Sequence, residues 1–157
     1  MNENKVELPD LDLTGKIIDA AIEVHKTLGP GFLEAIYEEA FCIELASRGI
    51  AYERQKSIRL TYRDRPIGEH RLDLLIAERV VVELKAVVAL ERVHFAIVRS
   101  YMKALDVTSG LLLNFAAMPL IVKRVGRESS HYSRVPESMV SGTEEHGGLV
   151  LDSRTEG

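Results

Sequence analysis

The segment RVVVELKAV, residues 79–87, combines the pattern of a buried strand with two charges that a buried strand rarely carries. Three consecutive valines followed by further apolar residues predict a strand inside a sheet. Glu83 and Lys85 lie two positions apart, so in a strand their side chains share one face. A charge removed from water is costly unless it is paired or bound to an ion. The segment therefore requires a fold that supplies partners for both charges.

A preceding apolar strand, residues 69–76, can pair with this segment and places one residue opposite Glu83. With a three-residue turn at residues 77–79, the apolar residues of the two strands face each other and form one continuous core face. The predicted apolar pairs are Ile76 with Val80, Leu74 with Val82, and Leu72 with Leu84. The same register sets Asp73 directly opposite Glu83, with their Cβ atoms roughly 5 Å apart.

Two like charges that face each other across a sheet are destabilising, so a further group should offset the repulsion. Lys85 can do part of this as a salt-bridge partner. A divalent cation would do it better, and an all-oxygen carboxylate site favours Mg²⁺ or Mn²⁺. A third acid, Glu34, lies in the first turn of a predicted helix, at the edge of its apolar stripe, where it can reach the same cation. The neighbouring acids Glu38 and Glu39 are expected to face solvent.

Each of these acids also has a simpler interpretation. Glu34 can complement the positive end of its helix. Asp73 and Glu83 can lie on an exposed sheet face, each neutralised by a basic neighbour, and E-x-K is a common tripeptide. The combination of register, shared face and apolar flanks is what favours a metal site.

The rest of the chain predicts an α/β fold. Apolar residues at helical spacing cover residues 12–28, 32–48 and 92–106, and strand patterns cover residues 52–63, 69–76, 80–87, 110–116 and 120–125. The order is helix, helix, three strands, helix, two strands (ααβββαββ). It predicts an α/β sandwich around a small mixed sheet, in which the last helix is a crossover connection.

Length and composition indicate the domain organisation and the cellular location of the protein. A length of 157 residues suits one domain, which we assign to residues 12–126 after an N-terminal extension over residues 1–11. Residues 127–157 have few large apolar side chains and are predicted to form a disordered tail. The single cysteine, Cys42, excludes an internal disulfide and is expected in the core. No segment is apolar for long enough to cross a membrane, and a cytoplasmic location is expected.

Several separated stretches resemble the GxxExxY family in the right order. They are GPGFLEAIYEEAF at residues 29–41, YERQ at 52–55, RLDLLI at 71–76, VVELKAV at 81–87 and GLLLNF at 110–115. The family is placed in the PD-(D/E)XK nuclease superfamily, so the resemblance implies a restriction-endonuclease-like core and Mg²⁺-dependent phosphodiester hydrolysis. Carried over residue by residue, it assigns the catalytic set to Glu34, Asp73, Glu83 and Lys85, in which the three acids hold the metal.

One departure from the family pattern lies on the helix after E-x-K. Ile97 stands where a glutamine is expected, although the tyrosine four residues later, Tyr101, is present. Tyr101 and the motif tyrosine, Tyr37, are accessory site residues by this resemblance. The missing glutamine puts turnover in doubt more than metal binding. An alternative is therefore a catalytically inactive nuclease-fold module that binds nucleic acid or a partner protein.

A nucleic-acid partner, DNA or RNA, would need local positive charge, because the formal net charge is −4. Basic residues do cluster on the first two strands: Arg54, Lys56, Arg59, Arg63, Arg65 and Arg71. The simpler interpretation is that they are ordinary solvated strand residues. Because small nucleases of this class often need a second subunit to grip substrate, the resemblance also leaves a homodimer open.

Overall fold

The structure, a computed structural model, describes residues 10–127 together with the short strand Val150–Leu151. The predicted extension over residues 1–11 and the predicted disordered tail over residues 127–157 lie almost entirely outside the described residues. The elements are α1 (Leu11–Leu28), α2 (Glu34–Ser47), β1 (Tyr52–Tyr62), β2 (Arg65–Ile76), β3 (Val80–Lys85), α3 (Arg92–Leu105), β4 (Ser109–Asn114), β5 (Ile121–Gly126) and β6 (Val150–Leu151). The predicted order ααβββαββ is confirmed, and β6 is an addition that the sequence did not predict.

One mixed sheet carries the fold, with the strand order β5-β4-β3-β2-β1-β6. Strands β3 and β4 are parallel, and the other neighbouring strands are antiparallel. Two parallel strands cannot be joined by a tight turn, and α3 makes the connection between them, as predicted. In the part of the chain that the structure describes, no helix is both long and apolar enough to cross a membrane.

Helices cover both faces of the sheet and create two core layers. The α1/α2 layer includes Ile17, Tyr37, Phe41, Leu74, Leu84 and Phe115, and the α3 layer includes Leu72, Leu75, Val81, Val98, Met102 and Leu112. Strand β4 is buried along its whole length, because it is covered on both faces. Cys42 is buried in the α1/α2 layer, which confirms its predicted place in the core.

The β1–β2 hairpin is longer than predicted. Its turn is tight because Arg63 and Asp64 both adopt left-handed backbone angles, with φ of 48° and 62°. Tyr62 therefore pairs directly with Arg65, and β2 begins at Arg65 rather than at residue 69. In the half of the hairpin next to this turn, β2 is exposed from Arg65 to Arg71, whereas Ile58, Leu60 and Thr61 of β1 are buried.

The predicted β2–β3 register is confirmed next to the turn and fails at its far end. Ile76 pairs with Val80 and Leu74 with Val82, as predicted. The prediction of one continuous apolar face was wrong for Leu72, which packs in the α3 layer while Leu74 packs in the α1/α2 layer. The alternation of faces is broken between Leu72 and Leu74, beside Gln55 of β1, which has a left-handed φ of 49°.

Candidate active site

Two carboxylates lie where the regular β2–β3 ladder ends. The backbone N–H of Asp73 donates to Oε1 of Glu83 at 3.0 Å, and the N–H of Leu84 donates to Oδ2 of Asp73 at 3.0 Å. Each carboxylate therefore accepts a hydrogen bond from the backbone of the opposite strand. The arrangement holds the two acids side by side, just beyond the last backbone pair of the ladder, Leu74 with Val82.

The environment of this pair opposes a full double negative charge. Burial, followed by the charge of Asp73, raises the pKa of Glu83 to about 8. Burial also raises the pKa of Asp73, although the hydrogen bond from Leu84 acts in the opposite direction. Both carboxyl groups are therefore more easily protonated than in water, and the two titrate as one interacting unit.

The remaining two predicted residues join the same electrostatic cluster. Lys85 is the last residue of β3 and is half-buried, and its positive charge opposes the raised pKa values of Asp73, Glu83 and Glu34. Glu34 is the first residue of α2. Its pKa is raised by burial and, more weakly, by the charges of Asp73 and Glu38, while Lys85 acts in the opposite direction. The structure thus places Glu34 beside Asp73 at one cavity, and Asp73 beside Glu83, with Lys85 within electrostatic range of all three acids.

A cavity of about 270 Å³ opens between the first turns of α2 and the β1–β2 hairpin. Its lining residues are Glu34, Ala35, Glu38, Gln55 and Asp73. A water molecule occupies about 30 Å³ of liquid volume, so the cavity has room for a hydrated cation or a phosphate group. Four of the five lining side chains carry oxygen ligands, which gives the cavity an acidic, hydrogen-bonding wall.

Sequence reasoning missed two residues of this wall. Glu38 was predicted to face solvent, but only 8% of its surface is exposed. Its position four residues after Glu34 puts it on the same face of α2, and this spacing could have revealed it. The sequence contains no such signal for Gln55. Its backbone has a left-handed φ beside Asp73, and strand periodicity does not predict that conformation.

The two accessory tyrosines have different places. Tyr37 is fully buried, and its hydroxyl donates to the carbonyl of Gly29 at 2.6 Å and accepts from the N–H of Phe32 at 3.2 Å. It fixes the loop before Glu34 and does not line the cavity. Tyr101 donates to the carbonyl of Arg71 at 3.3 Å. Burial, followed by the charges of the Glu83 and Asp73 carboxylates, raises its pKa to about 12.

Ile97 lies one turn before Tyr101 on α3. It is partly buried and packs against the α3 layer. An aliphatic side chain has no hydrogen-bonding group, so this position contributes packing and no polar contact to the carboxylates.

The donor set fits a hard divalent cation in its chemistry. Among residues 10–127, no group of three or more His, Cys, Asp or Glu side chains is already arranged as a metal site. Glu34, Asp73 and Glu83 nevertheless offer oxygen ligands only, which Mg²⁺ and Mn²⁺ prefer. The backbone N–H groups that hold Asp73 beside Glu83 offset part of the repulsion between the two acids, as a cation also would.

The comparison with protein families agrees with this site. A family model of the PD-(D/E)XK nuclease superfamily matches residues 11–125, which is almost the whole of the described domain. The chain belongs to the PD-(D/E)XK nuclease superfamily, whose members cleave phosphodiester bonds and generally use divalent metal ions. The mixed sheet with helices on both faces is the restriction-endonuclease-like fold that the sequence predicted. Neither the curated proteins nor the solved structures include a match to this chain.

Proposed function

We propose that this protein is a nuclease of the GxxExxY type, which hydrolyses phosphodiester bonds of nucleic acid with Mg²⁺ or Mn²⁺ as its cofactor. The observation that carries the proposal is the Asp73–Glu83 pair at the end of the β2–β3 ladder, with Lys85 beside it. A sheet that needed only stability would not keep the buried Glu83 and the half-buried Asp73 face to face at this point.

The three acids have a common role in this proposal. Asp73, Glu83 and Glu34 would hold the cation, and when bound it would polarise the scissile phosphate and acidify an attacking water. Asp73 and Glu83 are fixed by backbone hydrogen bonds from the opposite strand, so their spacing is set by the sheet. Glu34 comes from a helix, which allows it to approach the pair from the other side of the cavity.

Lys85 supplies the positive charge that the protein itself, apart from the metal ion, contributes to the site. Its ammonium group is half-buried at the end of β3, close enough to all three acids to oppose the rise in their pKa values. A fixed ammonium in a partly desolvated site can orient a water by hydrogen bonding, and it stabilises negative charge that develops on a phosphate. We assign both tasks to Lys85.

The half of the β1–β2 hairpin next to its turn supports nucleic acid as the substrate. This arm, residues 57–71, carries four arginines against two acids, whereas the whole chain has a formal net charge of −4. The arginines are Arg59, Arg63, Arg65 and Arg71. The arm leads directly into Asp73, so a phosphate backbone that lies along it would reach the cavity.

The proposal is tested by cleavage and metal binding in parallel. Labelled single-stranded DNA, duplex DNA and RNA are incubated with the protein in Mg²⁺, in Mn²⁺ and in chelator, while Mn²⁺ binding is measured by calorimetry. We expect metal-dependent cleavage by the wild type, and loss of both cleavage and Mn²⁺ binding in Asp73→Asn. Glu78→Gln removes an exposed acid from the β2–β3 turn and is the matched control, which should retain both properties.

Two results would contradict the proposal. Cleavage that persists in chelator would exclude the metal-dependent chemistry. Nucleic-acid binding that survives in chelator, without cleavage of any substrate, would instead favour the catalytically inactive module.

A further inference from the structure

Gln55 has a backbone conformation that its strand does not explain. Its φ of 49° lies in the left-handed region, which residues with a Cβ atom rarely enter. The residues on either side remain paired with β2, Arg54 with Leu74 and Lys56 with Leu72. Isolated strain of this kind persists only where the surrounding contacts fix it. The contacts of the Gln55 side chain should therefore explain why the left-handed conformation is kept.

The amide group of Gln55 joins two carboxylates. Its Nε2 atom donates to Oε1 of Glu38 at 2.6 Å and to Oδ1 of Asp73 at 3.5 Å. A side-chain amide has two N–H groups, so each carboxylate can receive one of them. The second oxygen of Asp73 accepts the N–H of Leu84. Asp73 thus accepts a 3.0 Å hydrogen bond from β3 at one oxygen and a longer one, of 3.5 Å, from β1 at the other.

Glu38 fixes the direction in which the Gln55 amide points. The carboxylate of Glu38 only accepts hydrogen bonds, so it orients the NH₂ end of the amide towards the two acids. Glu38 is itself held by Arg54, whose Nη2 lies 3.2 Å from its Oε2, while Nη1 of the same guanidinium bonds Glu39 at 2.8 Å. Arg54 also neutralises a carboxylate that would otherwise be buried without a cation.

We infer that Arg54, Glu38 and Gln55 form a positioning relay, in which Gln55 sets the orientation of the Asp73 carboxylate. The relay acts through Asp73 and does not itself perform the reaction, so its catalytic consequence rests on the proposed function. Its structural consequence, a fixed Asp73, exists in the metal-free protein. The competing interpretation is a staple that only ties α2 to β1.

The first experiment measures the positioning without any metal or substrate. Amide hydrogen exchange is followed by NMR for Leu84, whose N–H is bonded to Asp73, and for Val82, which lies in the regular ladder. Gln55→Gly removes the amide while glycine accommodates the left-handed φ. We expect the protection of Leu84 relative to Val82 to fall about fivefold to tenfold. Glu78→Gly, which relieves another left-handed position (φ 57°) away from the acids, should leave the ratio unchanged.

An unchanged ratio in Gln55→Gly would overturn the inference. Because the ratio compares two amides of the same strand, a general loss of stability cannot imitate the effect. This measurement needs neither cleavage nor metal binding, so it separates failure of the relay from failure of the proposed function.

The second experiment measures the effect of the relay on metal binding. Gln55→Gly removes the donor to Asp73 and places no new charge beside it. We expect Mn²⁺ affinity to fall about 10- to 100-fold in this variant, while the Mn²⁺ affinity of Glu78→Gly stays unchanged. Wild-type Mn²⁺ affinity in Gln55→Gly would show that the relay is only a staple.

Discussion

The two ends of the β2–β3 hairpin differ in how they are held together. Next to the turn, Leu74 and Ile76 face Val82 and Val80, all four are fully buried, and the strands pair through their backbones. At the other end, Asp73 and Glu83 accept backbone N–H groups with their side chains. We call the first the closed end and the second the open end.

The difference shows how one strand can serve two purposes. The closed end buries apolar surface, which is the main source of stability in a small domain. The open end keeps ionisable groups in a partly desolvated place, which opposes stability but alters their protonation. Between Val82 and Glu83, adjacent in sequence, β3 changes from one role to the other. Changes at the open end should therefore affect activity, and changes at the closed end should affect folding.

The largest effect is expected for Lys85→Met, at the open end. Methionine keeps an unbranched side chain of similar length and removes the charge. We expect kcat to fall by about 10²–10³-fold, because a fixed donor to the reacting groups is lost, while the melting temperature changes little. Single-turnover cleavage and thermal unfolding measure the two quantities. If the folded variant cleaves as fast as the wild type, the open end does not perform the chemistry.

Leu74→Ala, at the closed end, should have the opposite signature. Leu74 is fully buried in the α1/α2 layer, and its truncation leaves a cavity. We expect the free energy of unfolding to fall by about 2–5 kcal/mol in urea denaturation, with nearly normal cleavage per folded molecule. Val88→Ala, which changes a fully exposed side chain, is the control for truncation alone. Equal losses of activity in Leu74→Ala and Lys85→Met would remove the distinction between the ends.

The stability of the metal-free protein should depend on pH through the open end. The pKa of Glu83 is raised to about 8 in the folded state, so the folded protein binds more protons than the unfolded chain between about pH 4.5 and 8. The free energy of unfolding should therefore fall as pH rises through this window. Burial raises the pKa values of Asp73 and Glu34 as well, and both act with the same sign.

Calorimetry in chelator measures this dependence. We expect the melting temperature to be about 5 °C higher at pH 6 than at pH 8.5, and Glu83→Gln to reduce the difference. A melting temperature that rises with pH in the wild type would mean that the acids at the open end are stabilised in their charged form.

The smallest effect is expected for Tyr101→Phe, which removes one hydroxyl beneath the open end. The variant loses the hydrogen bond to the carbonyl of Arg71 but keeps the ring in the α3 layer. We expect about 1 kcal/mol less stability and a cleavage rate within about tenfold of the wild type. A loss as large as that of Lys85→Met would give the Tyr101 hydroxyl a direct part in the reaction.

The sequence was sufficient for features that repeat along the chain. Strand periodicity and a three-residue turn place Asp73 opposite Glu83, and helical spacing gives the order of the elements. Periodicity fails where a single residue leaves the pattern. Leu72 lies in the other core layer, beside the left-handed Gln55 whose amide reaches the acids, and no local sequence signal marks this break.

Long-range contacts account for the rest of what sequence reasoning missed. Glu38 looks like an ordinary surface acid of α2, and it becomes buried only because Arg54 and Gln55 of β1 reach it. Strand β6 is two residues long and pairs with Leu60 and Thr61 from far along the chain. The partners of Glu38 and of β6 could not be identified from the sequence without the fold.

The hydrogen bonds of Tyr37 bear on how the protein is made. Its hydroxyl fixes the loop from which α2 begins, and its ring stacks on Phe115 with centroids 4.7 Å apart. A nascent chain that has not yet reached residue 115 lacks this stacking surface. In the folded protein, the start of α2 that carries the acid Glu34 is therefore tied through Tyr37 to a residue far along the chain.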